Sequence, residues 1–432
     1  MKRKIFSQNS KKFDFFPQMV YNVVMERKIL TTAIVGGGAS GLMLATTLCQ
    51  SQPNIAVFER CERVGRKLSA TGNGQGNITN LSCETEEYCS STPNGAKKAQ
   101  TIIRAYGKER IFSFFERLGV LLCADERGRV YPAGRQASSL TDALRYFIAE
   151  KGVQVYTGAR VIDIKKDNAL FCLTTESGEK FYAQTVVLCT GGKSAKNFGT
   201  DGSAYQMAIN KGHTITPLYP SLVQLKTQTN TIKTLKGIRV TDAKVTANYK
   251  GGTQSVVGDI IFTDYGVSGD AIFRLSAYIA DKIESGVTLS IDLLPSVTQQ
   301  RIENVLKEKS RRFPQMPFGE LLGGILNNQV GRAVMKLANG QSLSYASAIV
   351  KAFPLTVTGT LGFDYAQVTK GGLKMDEVDD NLQSKLGDGL YFAGEILDID
   401  GHCGGFNLQW AYSSAQAVAN AVNEKVRGQV CV

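Results

Sequence analysis

One glycine-rich turn constrains the fold of this chain more than any other feature of its sequence. The apolar stretch 29–35 has the pattern of a short strand, and Gly36-x-Gly38-x-x-Gly41 leads directly from it into a helical pattern. Gly36 permits a tight turn, Gly38 lets the backbone approach a pyrophosphate, and Gly41 allows the helix to pack closely on the strand. The motif predicts the first half of a dinucleotide-binding unit.

An acidic residue follows this turn at the distance that a bound dinucleotide requires. The second strand, 54–59, ends on Glu59, which stands 23 residues after Gly36. A carboxylate at this position accepts hydrogen bonds from both ribose hydroxyls and repels a 2′-phosphate. The helix start at Ala39 and Ser40 offers N–H groups and the positive end of the helix dipole to phosphates. The complete βαβ unit therefore predicts a dinucleotide-binding domain.

Three further segments favour FAD over NAD as the dinucleotide. Gly65-Arg-Lys67 places basic side chains after the second strand, and Thr190-Gly191-Gly192 closes a buried strand. Near the C-terminus an apolar stretch ends in Gly394-Glu395, as expected of a strand that holds a flavin nucleotide from the opposite side. A simple NAD dehydrogenase needs no such segment so late in the chain.

Ten segments in a fixed order carry a resemblance to a known family. They are 33–41, 65–68, 72–74, 77–80, 129–132, 136–139, 258–269, 391–395, 400–401 and 404–411. Together they resemble the BaiN-like flavoproteins, a family of NAD(P)/FAD-dependent oxidoreductases that includes members described as aminoacetone oxidases. The resemblance covers about residues 30–425.

The motifs and the resemblance together give a set of expected flavin-binding residues. The resemblance implies that Asn407, Leu408 and Gln409 lie beside the isoalloxazine ring, where a helix N-terminus stabilises charge on the reduced ring. An ordinary helix with Asn407 as its cap is the alternative. The full predicted set is Gly36, Gly38, Ala39, Ser40, Gly41, Glu59, Arg60, Arg66, Lys67, Asn73, Gly74, Asn77, Val161, Thr190, Gly191, Gly192, Gly394, Glu395, Asn407, Leu408 and Gln409.

The sequence departs from the family pattern at two places. The family usually has Arg-Cys where this chain has Gln75-Gly76, and a proline where Asp270 follows Gly269. Replacing arginine by Gln75 removes a fixed positive charge. We expect this change to affect the choice of substrate more than the binding of flavin.

The order of predicted elements indicates an α/β fold with an interruption. Strands and helices alternate over 29–194 and return over 356–432, which predicts a discontinuous Rossmann-like FAD-binding domain. Residues 195–355 are predicted to be an inserted domain, β-rich over about 195–265 and 340–355 and helical over about 266–339. In the family the insertion is a β-barrel with a small helical domain.

The sequence predicts flavin chemistry but leaves its electron partner open. Flavin needs a hydride donor and an acceptor, and the chain has no second GxGxxG motif for NAD(P)H. Nicotinamide would therefore dock transiently at the flavin, or oxygen would be the acceptor. Of the two histidines, His402 stands next to the presumed ring and is the candidate proton donor, with a purely structural loop histidine as the alternative.

The sequence leaves three enzymatic functions open, beside that of a flavin-binding protein without turnover. The first is an FAD-dependent oxidoreductase that acts on a small organic substrate and is fed by NAD(P)H. The second is an oxygen-using flavin amine oxidase, similar to aminoacetone oxidase. The third is an FAD-dependent tRNA-modifying enzyme, which would use the basic surface.

Net charge and cysteine content limit the kinds of partner and the cellular location that we expect for this chain. The chain carries a net charge of +12, of which +5 falls within residues 1–28, predicted to be a basic, disordered extension. The remaining excess shows no long basic run, so no nucleic-acid partner is expected. Nine cysteines without a CxxC pair or a Cys/His array indicate reduced thiols, no metal site and a cytoplasmic location. No apolar stretch approaches the roughly 20 residues that span a bilayer, so no membrane partner is expected, and the sequence does not determine the oligomeric state.

Overall fold

A computed structural model of the chain describes residues 29–85 and 88–430. The basic segment 1–28, predicted to be an extension, lies outside the described residues. Among the residues described, no helix is both long and apolar enough to cross a membrane.

The described residues form strands in both halves of the chain. They are β1 (Leu30–Val35), β2 (Ile55–Phe58), β3 (Thr79–Asn80), β4 (Leu122–Ala124), β5 (Arg129–Pro132), β6 (Gln154–Tyr156), β7 (Val161–Asp167), β8 (Leu170–Thr175), β9 (Lys180–Leu188), β10 (Tyr219–Ser221), β11 (Leu225–Thr227), β12 (Arg239–Tyr249), β13 (Gly252–Phe262), β14 (Gly266–Ser268), β15 (Val287–Asp292), β16 (Phe353–Thr360), β17 (Val368–Lys370) and β18 (Leu390–Phe392).

Helices connect and cover these strands. They are α1 (Ala39–Leu48), α2 (Arg66–Ala70), α3 (Pro93–Ala105), α4 (Lys108–Arg117), α5 (Ala137–Glu150), α6 (Tyr205–Ile209), α7 (Asp270–Ile279), α8 (Gln299–Arg312), α9 (Asn328–Ala338), α10 (Leu343–Lys351) and α11 (Phe406–Val430). The first and last of them, α1 and α11, pack against each other.

A seven-stranded sheet holds the two ends of the chain together. Its strands run in the order β6-β2-β1-β9-β8-β7, and β18 pairs with β9 as well. Strands β6, β2, β1, β9 and β18 are parallel to their neighbours within this group, and β7, β8 and β9 form antiparallel pairs. The apolar residues of β1, β2 and the end of β9 are buried because helices cover this part of the sheet.

A closed six-stranded barrel forms between β9 and β18 in the sequence. Its strands follow the order β11-β14-β13-β12-β15-β16, and β11 pairs with β16 to close it. Alternate residues of β12, such as Ala243, Val245 and Ala247, are buried inside. Helices α8, α9 and α10 pack around the barrel and share its apolar core. The predicted fold class, a Rossmann-like α/β domain with a barrel-like and helical insertion, is confirmed.

Two elements of the insertion differ from their predicted structure. Residues 287–292 form strand β15 within the segment expected to be helical, because they pair with both β12 and β16 to complete the barrel. Residues 343–351 form α10 in a segment expected to be β-rich, because Ser342 caps the helix by accepting a hydrogen bond from the Tyr345 N–H. The boundaries at 195 and 355 stay a prediction, and β16 itself runs on to Thr360.

Candidate functional site

The register of the parallel strands brings distant parts of the chain to one edge of the sheet. Val35 at the end of β1 pairs with Phe58 and with Leu188, and Leu188 in turn pairs with Phe392 at the end of β18. The residues that follow these four strands therefore emerge side by side, as ligand-binding loops do in open α/β sheets. They open onto a cavity of about 820 Å³ that reaches the wall of the barrel.

The three glycines of the first turn do different things. A side chain at Gly36 would collide with the carbonyl group of Cys189, and one at Gly41 would collide with the Gly36 carbonyl group. These two glycines therefore let β1, α1 and the end of β9 pack closely. A Cβ atom at Gly38 would meet nothing within 4 Å, because this residue faces the open cavity. No side chain caps α1, and its first turn contains no acidic residue, so its N–H groups remain suited to an anion.

Glu59 lies at the end of the second strand and lines the cavity. Its two carboxylate oxygens accept hydrogen bonds from the backbone N–H groups of Gly37, at 2.9 Å, and Cys61, at 2.8 Å. These bonds fix the orientation of the carboxylate. Each oxygen has a second lone pair, so the group can still accept ribose hydroxyls.

The predicted basic residues all line the cavity, and each already has a protein partner. Lys67 forms an ion pair of 2.7 Å with Glu395, although 328 residues separate them. Arg60 pairs with Asp201 at 2.7 Å, and Arg66 donates to the Asn197 carbonyl at 2.8 Å. The Lys67–Glu395 pair ties α2 to the loop after β18.

The start of α11 forms part of the same cavity. Asn407 and Leu408 line it, while the Asn407 amide bonds both the N–H and the carbonyl of Gly401 at 2.9 Å. Gln409 is fully buried and bonds the Tyr106 carbonyl and Ser413 on the other side of the helix. Trp410 lines the cavity and donates its indole N–H to the Gly394 carbonyl at 3.1 Å.

We call the loops that follow β1, β2, β9 and β18 the dinucleotide cradle. His402 lies where this cradle meets the barrel. Its ring lines the cavity, and its Nδ1 atom is 3.3 Å from the hydroxyl of Tyr278 on α7. Residues Ile261 and Phe273 of the barrel side line the same space. His402 therefore lies between the dinucleotide cradle and a barrel side on which the polar residues Ser268 and Asp270 line the cavity beside these apolar ones.

A buried carboxylic acid, Asp400, stands two residues before His402 in the sequence. Asp400 is 3% exposed, and its Oδ1 atom has no hydrogen-bond partner among the described residues. Burial raises the pKa of Asp400 to about 7, while the charge of Lys370 opposes the rise. The neighbouring carboxyl groups of Asp398 and Asp281 raise the pKa further. With this pKa, the carboxyl group is partly protonated near neutral pH.

Most of the predicted site residues come together in this cavity. Those that line it are His402 and the predicted flavin-binding residues Gly36, Gly38, Ala39, Ser40, Glu59, Arg60, Arg66, Lys67, Asn73, Asn77, Val161, Thr190, Gly191, Gly192, Glu395, Asn407 and Leu408. Four predicted residues are absent from the lining: Gly41, Gly74, Gly394 and Gln409. Gly41 and Gly394 pack against Gly36 and Ser40, and the Gly74 carbonyl accepts the N–H of Ala137 at 2.7 Å.

Several residues of the cavity were not singled out from the sequence. Tyr131, Arg129 and Arg135 line it from β5 and the turn that follows. Leu222, Gln367 and Asp364 also line it, from the connections into and out of the barrel. The segment 129–132 belongs to the resemblance described above, which was the available signal, but the resemblance implied no role for it.

The residues present fit FAD. The Gly38 backbone and the uncapped start of α1 suit the pyrophosphate, and Glu59 suits the ribose. The Thr190 hydroxyl is buried in the lining and has no hydrogen-bond partner among the described residues, which suits the polar ribityl chain. Leu408 and the start of α11 line the same cavity and would offer an apolar contact and N–H groups to the ring.

Comparison with known proteins agrees with this architecture. The family described as HI0933-like protein Rossmann domain matches residues 30–421. A 3-dehydro-bile acid delta(4,6)-reductase of Clostridium scindens is 34% identical over 411 residues, which are 91% of this chain and 98% of that protein. A ribosomal RNA dihydrouridine synthase of Escherichia coli is 28% identical over 89% of this chain and 96% of its own length.

The chain is also similar to a solved structure, the open conformation of a flavocytochrome c3 fumarate reductase. The TM-score is 0.47 at 13% sequence identity, over 96% of this chain and 83% of the other. The family match spans nearly all of the described residues, from β1 to the last helix. The glycine turn, the aligned strand ends and the inserted barrel thus belong to one family architecture, and the chain is a member of the HI0933-like Rossmann family of FAD-binding proteins.

Proposed function

We propose that this FAD-dependent oxidoreductase reduces a carbon–carbon double bond conjugated to a carbonyl group in a small, largely apolar substrate. The observation that carries the proposal is the shared cavity, which joins the dinucleotide cradle to a barrel side that offers the apolar side chains of Ile261 and Phe273, with His402 between them. A substrate bound against Ile261 and Phe273 would lie between the barrel and the start of α11.

FAD, when bound, supplies hydride transfer to the β-carbon of such a substrate. The chain's own residues supply binding, orientation and a proton. His402 would deliver a proton to the α-carbon or the carbonyl oxygen, and the Tyr278 hydroxyl, 3.3 Å from Nδ1, would orient its ring. The start of α11 would stabilise negative charge at the flavin ring through its N–H groups.

The printed name of the Clostridium scindens relative supports this substrate class. That protein is a reductase of delta(4,6) double bonds in a 3-dehydro-bile acid, which is a conjugated ketone with an apolar ring system. The relative matches nearly the full length of this chain, so the barrel that forms the apolar wall is within the match.

NAD(P)H is proposed as the electron donor. The sequence contains one GxGxxG motif, and the structure uses it for the turn between β1 and α1. A nicotinamide nucleotide would then enter the same cavity as the substrate, in alternation with it. The cavity volume of about 820 Å³ lies in the upper part of the range known for ligand pockets.

An anaerobic absorbance experiment tests this proposal. We expect NADH or NADPH to bleach the flavin band of the purified protein within seconds, and a 3-oxo-Δ4,6 bile acid to restore it. If neither nucleotide bleaches the flavin, whereas small amines bleach it and air then restores the band with formation of peroxide, the result would contradict the proposal in favour of the amine oxidase. The matched control is the same titration with the saturated 3-oxo acid, which offers no double bond.

A second candidate function is the reduction of uridine in ribosomal RNA. The Escherichia coli relative carries that activity in its name and also matches most of this chain, and the net charge of +12 favours a polyanion. Conversion of uridine to dihydrouridine is also the reduction of a double bond conjugated to a carbonyl. Dihydrouridine formed in unmodified ribosomal RNA under turnover conditions, with no reduction of the bile acid, would select this candidate.

A further inference from the structure

An arginine without an acidic partner lies on the cavity wall next to a buried tyrosine. The Arg135 guanidinium carbon is 4.1 Å from the centroid of the Tyr131 ring, and both residues line the cavity. Tyr131 is 5% exposed, so the ring is a fixed platform. Stacking engages the face of the guanidinium group and leaves its in-plane N–H donors directed outward.

Charge balance separates Arg135 from three other basic residues of the cavity. Lys67, Arg60 and Arg129 each form an ion pair with a carboxylate, at 2.7 Å in every case. Arg135 forms no ion pair and no side-chain hydrogen bond with any described residue. Arg63 also forms no ion pair and no side-chain hydrogen bond with the described residues. However, its neighbour Val64 packs against Gly37 in the glycine-rich turn after β1, whereas Arg135 belongs to the turn after β5.

The backbone holds Arg135 in an unusual conformation at this point. Its φ angle is +50°, in the left-handed region that residues other than glycine rarely adopt. Its N–H donates to the Pro132 carbonyl at 2.8 Å, and the N–H of Ala137 donates to the Gly74 carbonyl at 2.7 Å. Helix α5 begins there without a side-chain cap and without an acidic residue in its first turn, which adds a positive field.

We propose that Arg135, stacked on Tyr131, binds a carboxylate group of the substrate by a bidentate hydrogen-bonded ion pair. The substrate would then combine an apolar body, set against Leu222, Ile261 and Phe273, with one anionic end. This inference rests on the proposed function for the identity of the substrate. The same guanidinium chemistry would suit the 2′-phosphate of NADPH, and the experiment separates the two sources.

The test compares the free acid of a 3-oxo-Δ4,6 bile acid with its uncharged methyl ester. Binding is read from the change in the absorbance spectrum of the oxidised holoenzyme, without turnover. We expect Arg135→Gln to weaken binding of the acid at least tenfold and to leave binding of the ester within twofold. The control Arg145→Gln also removes one positive charge, from an exposed position on α5 paired with Asp142, and should leave both affinities unchanged.

The nucleotide arm measures KM for NADPH and NADH in the same variants. A loss confined to NADPH, with the acid and the ester unaffected, assigns the anion to the 2′-phosphate and overturns the substrate carboxylate. Equal losses for acid and ester, or no loss with any ligand in Arg135→Gln, overturn the anion site altogether. A wild-type protein that prefers the acid to the ester in binding but reduces neither contradicts the proposed function and leaves the site standing.

Discussion

Gly38 differs from the other glycines of its motif in what a side chain would meet. Around Gly36 and Gly41 the backbone is packed so closely that any Cβ atom would collide with it, whereas Gly38 borders open space. Its φ and ψ angles of −81° and −162° also suit a β-branched residue. Substitution at Gly38 therefore changes the cavity without disturbing the fold.

Gly38→Val should reduce retention of FAD by at least tenfold while the unfolding temperature of the apoprotein stays within a few degrees of wild type. The reason is that the valine would occupy the space through which the pyrophosphate approaches the backbone. Flavin content after purification and titration of the apoprotein with FAD measure the effect. Gly319→Val is the matched control, since a Cβ atom there also meets nothing within 4 Å. Full flavin occupancy in Gly38→Val would show that the pyrophosphate lies elsewhere.

His402→Gln should lower kcat for reduction of the enone by about 10²-fold or more, because a positioned general acid contributes this much. The rate at which NAD(P)H bleaches the flavin should be unchanged, since that step needs no proton from the protein. Stopped-flow absorbance separates the two half-reactions. Tyr278→Phe, which removes the hydroxyl 3.3 Å from Nδ1, should give a smaller loss and a shifted pH profile. Equal losses in both half-reactions would indicate a structural role for His402.

Ionisation of Asp400 should lower the free energy of unfolding as the pH rises. Burial raises its folded-state pKa from 3.8 to about 7, so the folded state holds a proton that the unfolded state releases between these values. Stability is therefore greatest below pH 4 for this group and declines through pH 7, by at most about 1.4 kcal/mol per pH unit. Asp400→Asn should remove this decline, as measured by chemical unfolding at pH 5, 6, 7 and 8. Parallel stability curves for both proteins would contradict the assignment.

At the scale of elements, the start of α11 is joined to the loop before it by one side chain. The Asn407 amide makes hydrogen bonds of 2.9 Å to both the N–H and the carbonyl of Gly401. His402 lies within the loop that these bonds close. Asn407 therefore orders the loop that carries the candidate proton donor and also brings the helix start to the cavity.

Asn407→Ala should lower the unfolding temperature by about 1–2 °C, as the loss of roughly 1–2 kcal/mol predicts for a chain of this size. The affinity for FAD should fall as well, because the loop beside the helix start loses its anchor. Differential scanning calorimetry and flavin titration measure the two effects. Asn420→Ala is the control on the same helix, where the side chain is exposed and bonds only Glu424 among the described residues. An unchanged affinity for FAD would favour an ordinary cap.

The elements that the sequence predicted well are those built from local signals. The turn after β1 and the acid after β2 lie within 30 residues, and their spacing alone specifies a βαβ unit. Strand β15 was missed because its two partners, β12 and β16, lie far away in the chain. Alternate residues of this strand, Val287, Leu289 and Ile291, are buried. They become buried only when the strands of the barrel pair with one another.

At the scale of the molecule, the cavity depends on pairings that no local pattern contains. The sequence predicted Lys67 and Glu395 as separate contacts to the flavin, whereas the structure pairs them with each other across 328 residues. The resemblance also predicted that Gln409 lies beside the flavin ring. In the structure, the turn of α11 directs the Gln409 amide to the Tyr106 carbonyl group instead. Most of the residues predicted from the sequence thus line one cavity, while the wall formed by Arg135, Tyr131 and the barrel required the three-dimensional arrangement.

The position of Trp410 has a practical consequence. It is the single tryptophan of the chain, it is buried, and it lies on the cavity wall in contact with the Gly394 carbonyl. Indole emission overlaps flavin absorption, so energy transfer over this short separation would nearly extinguish the intrinsic fluorescence of the loaded protein. The protein therefore carries its own optical reporter, and the recovery of ultraviolet emission would follow the departure of the cofactor in real time.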